Sequence, residues 1–179
     1  MIGGIILFVK TIFSIIIIVA TAAIGYIFSY GYVQRLQQLK NLYLSFQLLE
    51  TEIIYSSNPL PIAMERVGKK SNKYICNIFN DTYKILNSKI GYSIEEAWNK
   101  AINDNLMKTS LNNEDKEILI DFGKNLGFTD KENQIKNFQL VYLQLQKQQK
   151  IAEQLKMKNE KMCKSLGVLI GIAIVIVLI

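Results

Sequence analysis

The residues of this sequence form no recognisable catalytic constellation. There is no histidine, and the only cysteines are Cys76 and Cys163. The lack of histidine excludes Ser-His-Asp and Cys-His catalysis as well as histidine-based zinc sites. The sequence also has no glycine-rich phosphate loop and no metal-ligand spacing. We therefore expect a protein that is not an enzyme and that binds no cofactor and no metal.

Two pairs of charged residues are candidates for contacts with a partner protein. Glu50 and Glu52 fall in the last turns of a predicted helix, where the helix dipole disfavours negative charge. They either pair with lysines elsewhere in the fold or contact a partner. Lys147 and Lys150 lie on one face of the last predicted helix, since they project in similar directions. This basic face is the second candidate.

The basic face has three interpretations. Such a face is often only a solvated surface. Anionic lipid is a second interpretation, and it suits Lys158 and Lys161, which lie close to the apolar C-terminal segment. Lys147 lies about 25 Å along the helix from Lys164, well beyond the Debye length. If Lys147 and Lys150 are functional, we expect them to meet an acidic protein surface.

Charge and apolar residues are unevenly distributed along the 179 residues. Of the 21 Lys and Arg residues only Lys10 lies outside 33–164, whereas all 15 acidic residues lie inside that range. The range 33–164 thus has 20 basic and 15 acidic residues, and this small positive excess is not typical of a nucleic-acid-binding surface. We therefore expect no nucleic-acid partner.

Both ends of the chain are apolar enough to enter a membrane. The segment Thr11–Tyr32 has 22 residues without charge, which is about 33 Å of helix against a hydrocarbon core of about 30 Å. A cleaved signal sequence with its box at Ala20-Thr21-Ala22 is the alternative, but the apolar run continues past it. The 15 residues of 165–179 carry no charge either, and a helix that is apolar all round belongs in lipid.

Lysine and arginine near the two apolar segments predict the topology, because these residues stay on the cytoplasmic side. Arg35 and Lys40 follow the first segment, and a run of lysines that ends at Lys164 precedes the second. Both predict a two-pass protein of the cell membrane whose middle part is cytoplasmic. We expect transmembrane segments at 1–32 and 165–179 and a cytosolic helical bundle at 33–164.

Small residues one turn apart occur in both apolar segments. Gly167 and Gly171 have this spacing in the second segment, and Gly25 has it with Thr21 and Ser29 in the first. Such spacing allows two helix backbones to approach closely in lipid. We expect packing either within one chain or between copies in a homo-oligomer, although chance also produces such patterns.

The middle part is predicted to form about six helices separated by proline and glycine. It has no alternation of apolar and polar residues long enough for a strand. Ser93 with Glu96, and Thr129 with Glu132, have the spacing of capping boxes. Gly68 is expected to end the second helix, and Gly123–Gly127 to end the fifth. The last helix is expected to run without a break from Asp130 into the C-terminal segment. The predicted fold class is an all-α membrane protein.

Several stretches together resemble the stage III sporulation protein AB family of spore-forming Firmicutes. The most specific is Leu-Glu-Thr-Glu-Ile-Ile-Tyr at 49–55 followed by Asn58-Pro59-Leu60, where Asn58 replaces the threonine that is usual in the family. The other matching positions are Gln38-Leu39, Ser93, Glu96-Ala97-Trp98, Phe122-Gly123, Leu126-Gly127, Asp130, Glu132, Gln134, Lys161-Met162 and Lys164-Ser165-Leu166-Gly167.

The resemblance implies a fold similar to the platform protein F of type II secretion systems. It also implies a non-enzymatic membrane component of a channel complex that joins the mother cell to the forespore. The partners implied are the other stage III sporulation proteins, including a cytosolic ATPase made from the same operon. A generic membrane-tethered helical scaffold with no role in sporulation is the alternative.

Overall fold

The computed structural model describes residues 2–88, 90–127 and 130–178 of the chain. Within these ranges it contains six α-helices, one short π-helical segment and no strand. The predicted all-α fold class is therefore confirmed. The elements are α1 (Ile2–Glu50), the π-helical segment (Thr51–Tyr55), α2 (Leu60–Lys70), α3 (Cys76–Leu86), α4 (Ile94–Leu106), α5 (Asn113–Lys124) and α6 (Lys131–Leu178).

Capping boxes begin α4 and α5. The Ser93 hydroxyl accepts a hydrogen bond from the Glu96 backbone N–H at 3.2 Å, and the Glu96 carboxylate accepts one from the Ser93 backbone N–H at 2.8 Å. This second bond lowers the pKa of Glu96, because it stabilises the charged carboxylate. Asn112 and Asp115 form the same reciprocal pair at α5. The box predicted for Thr129 with Glu132 falls on a position outside the described residues.

One predicted helix end, that of α2 at Gly68, was wrong, and close packing explains why. α2 continues past Gly68 to Lys70. Gly68 is buried, and an added Cβ there would collide with the side chain of Asn80 on α3. α5 ends at Lys124, within the predicted range of 123–127, and the missing Cβ of Gly123 leaves room for the Trp98 ring. Both glycines allow two helices to approach closely instead of breaking a helix.

The chain divides into two compact units. The central unit comprises Arg35–Ile151, and the terminal unit comprises Met1–Gln34 together with Ala152–Ile179. The helices α1 and α6 each contribute residues to both units.

An aromatic cluster forms the core of the central unit. The ring centroid of Phe46 lies 4.6 Å from that of Phe122 and 6.3 Å from that of Trp98, in edge-on geometry. The indole Nε1 of Trp98 donates to the backbone carbonyl of Leu119 at 2.7 Å, so its polar atom is satisfied in the core. Apolar residues of α1 and α6 are buried in the same core, namely Leu36, Leu39, Leu49, Phe138 and Leu145.

In the terminal unit the large apolar side chains face outward. Phe13, Ile27 and Phe28 are 60%, 70% and 68% exposed. Within the described residues one helix, from Lys10 onward, is long and apolar enough to cross a membrane. This helix supports association of the protein with a membrane through its N-terminal segment. The second crossing, by the C-terminal segment, stays a prediction.

Candidate functional site

Glu52 lies in the π-helical segment and is almost fully buried. Its carboxylate accepts hydrogen bonds from the Asn58 amide at 2.7 Å and from the Arg66 guanidinium at 3.0 Å. A buried carboxylate needs such partners to offset the loss of water. The cation that pairs with Glu52 is thus an arginine and not one of the expected lysines. Through these bonds Glu52 ties the end of α1 to α2.

Glu50, the last residue of α1, accepts a hydrogen bond from the Tyr142 hydroxyl on α6 at 2.7 Å. Burial and then this hydrogen bond to a carboxylate raise the pKa of Tyr142 above its usual value. The Tyr142 ring also packs 5.1 Å from the ring of Tyr43. Glu50 therefore takes part in a contact between α1 and α6 inside the central unit.

Lys147 and Lys150 are exposed on α6, and neither forms an ion pair within the described part of the chain. Leu140 and Leu143, which are 52% and 66% exposed, project from the same side of the helix. We call these four residues the α6 face. It combines exposed leucines with unpaired positive charge, and this combination suits a protein partner with apolar and acidic groups.

Gly25, Gly167 and Gly171 lie where α1 and α6 approach each other within the terminal unit. A Cβ added at Gly25 would stand 2.5 Å from the carbonyl oxygen of Cys163 and 3.1 Å from the Cα of Gly167. A Cβ at Gly167 would stand 2.8 Å from the carbonyl oxygen of Thr21, and one at Gly171 would collide with the Thr21 hydroxyl. At each of these glycines there is no room for a side chain.

A buried ion pair between Arg35 and Asp115 was not predicted from the sequence. The guanidinium donates to both carboxylate oxygens, at 2.8 and 3.0 Å, and also to the Gln148 side-chain oxygen at 2.8 Å. Asp115 has no exposed surface, and Arg35 is 8% exposed. This network joins α1, α5 and α6 in the central unit. The spacing of Asn112 and Asp115, which is that of a capping box, was the one signal in the sequence that placed Asp115 at a helix start.

Comparison with known proteins decides the family. The family model described as stage III sporulation protein AB matches residues 10–179. The chain belongs to this family. The stage III sporulation protein AB of Bacillus subtilis (strain 168) is 32% identical over 169 residues, which cover 94% of this chain and 98% of that protein. A solved structure of stage III sporulation protein AB matches with a TM-score of 0.66 and 27% identity, covering 70% of this chain and 98% of that one.

The family resemblance inferred from the motifs is thus confirmed. Membership in the stage III sporulation protein AB family supports a role in sporulation, and the family description refers to that role and not to a catalytic activity.

Proposed function

We propose that this protein is a non-catalytic platform in a sporulation-specific, secretion-like channel complex between the mother cell and the forespore. In this role it couples a cytosolic ATPase to the membrane assembly and contacts other stage III sporulation proteins. The observation that carries the proposal is the family match, which runs through both apolar ends and the helical middle, over residues 10–179.

The proposal includes a two-pass topology in the mother-cell membrane that faces the forespore, with residues 33–164 in the cytoplasm. The outward-facing apolar side chains of the terminal unit support it, because such a surface is stable in lipid and not in water. The Lys164 ammonium lies 5.4 Å from the ring centroid of Tyr26. A lysine and a tyrosine side by side are typical of the edge of a bilayer, where both keep a polar tip in water.

Reporter fusions test the topology. A reporter that is active only outside the cell should be silent when fused after Leu126 and active when fused after Ile179. The opposite pattern would overturn the cytoplasmic placement of the central part. Carbonate extraction is a second test, since a protein with apolar spans stays in the membrane pellet, whereas one held only by charge is released.

The α6 face is the surface we assign to the ATPase. Lys147 and Lys150 supply positive charge that no described residue neutralises, and Leu140 and Leu143 supply apolar area beside it. Charges at the edge of an interface act mainly on the association rate and on its dependence on salt. Docking through this face should therefore be strong at low salt and weaker at moderate salt.

Charge reversal tests the assignment. The full chain, held in nanodiscs, is titrated with the purified ATPase at low and at moderate salt. Lys147→Glu with Lys150→Glu should weaken binding about tenfold at low salt. The control variant, Lys70→Glu with Lys116→Glu, changes the net charge equally but lies on α2 and α5. If both double variants bind like the unmodified chain, the ATPase does not dock on this face.

Deletion of the gene separates the sporulation role from the generic scaffold. Vegetative growth should be unaffected, and development should stop around engulfment. Normal counts of heat-resistant spores in the deletion strain would favour the scaffold.

A further inference from the structure

A groove in the central unit lies where the end of α1 meets the starts of α2 and α6. Its volume is about 350 Å³, near the lower end of the range for ligand pockets, roughly 300–1,000 Å³. Ile53, Ile54, Leu60 and Leu126 make its walls apolar. We call it the α1–α6 groove. It is open to solvent at the surface of the bundle, and it has room for apolar side chains.

One polar atom at the groove has no partner. Gln134 lines the groove and is 5% exposed. Its amide nitrogen donates to the backbone carbonyl of Asn125 at 3.0 Å, whereas its oxygen accepts no hydrogen bond from any described residue. An unsatisfied buried acceptor costs free energy that a donor entering the groove would recover. This atom indicates an occupant that carries an N–H group.

The rim of the groove carries an unpaired positive charge. Lys131 lines the groove, is exposed, and forms no ion pair within the described residues. It is also the first residue of α6, where the helix dipole adds partial positive charge. Both effects favour a carboxylate on the occupant.

The backbone beside the groove has an unusual conformation. α1 ends in the π-helical segment, and Ser57, which also lines the groove, has a φ of 50°, in the left-handed region that side chains other than glycine rarely adopt. Such conformations occur often at binding sites, where the surrounding structure supports them. Here the buried Glu52, bonded to Asn58 and Arg66, provides that support.

The stretches that carry the family resemblance also meet at this groove. Ile53, Ile54 and Leu60 belong to the most specific stretch, and Leu126 and Gln134 belong to others that lie far away in the sequence. The fold thus brings the distinctive parts of the sequence to one place.

We infer that the α1–α6 groove is a docking site for a short segment of a partner protein that has an aliphatic side chain next to a carboxylate. The aliphatic side chain fills the space between α1 and the Leu60 and Leu126 side chains. The carboxylate pairs with Lys131, and a peptide N–H donates to the oxygen of Gln134. A fatty acid offers no N–H group and leaves that oxygen unsatisfied. Lys147 of the α6 face lies 16 residues further along α6, about 24 Å, so the groove is a separate surface.

A random peptide library gives a direct test. Peptides displayed on phage are selected on the full chain in nanodiscs, with empty nanodiscs as the background. The enriched peptides should share an aliphatic residue within about two positions of Asp or Glu. A synthetic, labelled copy of one of them should then bind about tenfold more weakly to Lys131→Glu or to Ile53→Ala.

Matched variants show whether binding takes place in the groove. Lys70→Glu reverses another exposed, unpaired lysine, about 15 Å along α2 from Leu60. Ile62→Ala shortens an exposed isoleucine that does not line the groove. Both should bind the peptide like the unmodified chain, and circular dichroism should show equal helix content for all four variants.

Three results would overturn the inference. The first is the absence of enrichment over empty nanodiscs, and the second is peptide binding that is indifferent to both groove variants. The third is a different occupant: self-association of the chain, or binding of oleate, that Ile53→Ala abolishes while no peptide is enriched.

Discussion

In the central unit the large apolar side chains point inward, whereas in the terminal unit they point outward. Phe46 and Trp98 have no exposed surface, but Phe28 is 68% exposed. The contact between α1 and α6 differs as well. In the central unit it is made by side chains, those of Tyr43 and Glu50 with Tyr142, and in the terminal unit by the backbones at Gly25 and Gly167. The same two helices are therefore packed in two different ways.

The membrane topology that we propose would account for this difference. In water, burial of aromatic and aliphatic side chains drives helices together. In lipid that driving force is absent, because the acyl chains are as apolar as the side chains, and close contact at small residues takes its place. The same type of substitution should thus have effects of very different size in the two units.

Truncation of a phenylalanine should show the largest difference. Phe46→Ala removes a ring that contacts Phe79, Trp98 and Phe122 in the core, and it should destabilise the central unit by about 4 kcal/mol. Phe28→Ala removes an exposed ring from the terminal unit and should change that stability by less than about 0.5 kcal/mol. Urea unfolding of the full chain in detergent, followed by the fluorescence of its single tryptophan, measures both. Equal losses of unfolding free energy in Phe46→Ala and Phe28→Ala would contradict the difference between the two units.

Removal of the buried ion pair should have the next largest effect. Asp115→Ala leaves the Arg35 guanidinium buried without its counter-ion and should cost about 3 kcal/mol in the same unfolding measurement. The control is Glu65→Ala, which breaks the exposed pair of Lys69 and Glu65 within α2 and should cost about 0.5 kcal/mol or less. If the two variants unfold alike, the network of Arg35 does not stabilise the central unit.

Enlarging the glycines should act on the terminal unit alone. Gly167→Ile with Gly171→Ile keeps the segment apolar but forces side chains into the backbone contact, which costs about 1–3 kcal/mol per site by overpacking. Gly31→Ile is the matched control, because an added Cβ there meets no atom within 4 Å. The stability of the central unit, measured by tryptophan fluorescence, should be unchanged in the double variant and in Gly31→Ile.

A cross-link reports the contact in the terminal unit directly. Cys163 and Phe28 line one groove, so Phe28→Cys in a Cys76→Ser background should react with Cys163 through a short bis-maleimide. A protease site inserted at the exposed Gly91 then shows whether the two ends remain joined after cutting. Most of the cross-linked product should be lost when Gly167→Ile and Gly171→Ile are introduced, and it should be retained in Gly31→Ile. A product with the mass of two chains would show that the contact forms between copies.

The sequence predicted the helices better than it predicted the contacts between them. The capping box at Ser93 correctly predicted where α4 begins, because Ser93 and Glu96 act on their own local backbone. Gly68 was wrongly predicted to end a helix, since its missing side chain makes room for Asn80 on another helix. The pairing of Arg35 with Asp115, 80 residues apart in the chain, is invisible to periodicity for the same reason.

The candidate partner contacts show the same limit. Lys147 and Lys150 were correctly placed on one helix face, because their spacing alone decides it. The environment of Glu50 and Glu52 depends on Tyr142, Arg66 and Asn58, which only the tertiary fold brings near. The π-helical segment at the end of α1 has no periodic signal of its own.

The smallest effect we predict concerns Tyr142, whose hydroxyl links α6 to Glu50 on α1 in the central unit. Burial and the hydrogen bond to Glu50 raise the pKa of Tyr142, so the folded chain keeps a proton that the unfolded chain releases above its ordinary pKa of about 10. The stabilisation is therefore fully present below pH 10 and is lost as the pH rises further.

Tyr142→Phe should cost about 1 kcal/mol or less at pH 8, and the loss of stability between pH 8 and pH 10.5 should be smaller than in the unmodified chain. Tyr55→Phe, at a tyrosine that is 75% exposed and that contributes least to the raised pKa of Tyr142, should retain most of the loss. If Tyr142→Phe and Tyr55→Phe respond equally to pH in tryptophan-detected urea unfolding, the hydroxyl does not hold α1 to α6, and side-chain packing alone joins the two helices in the central unit.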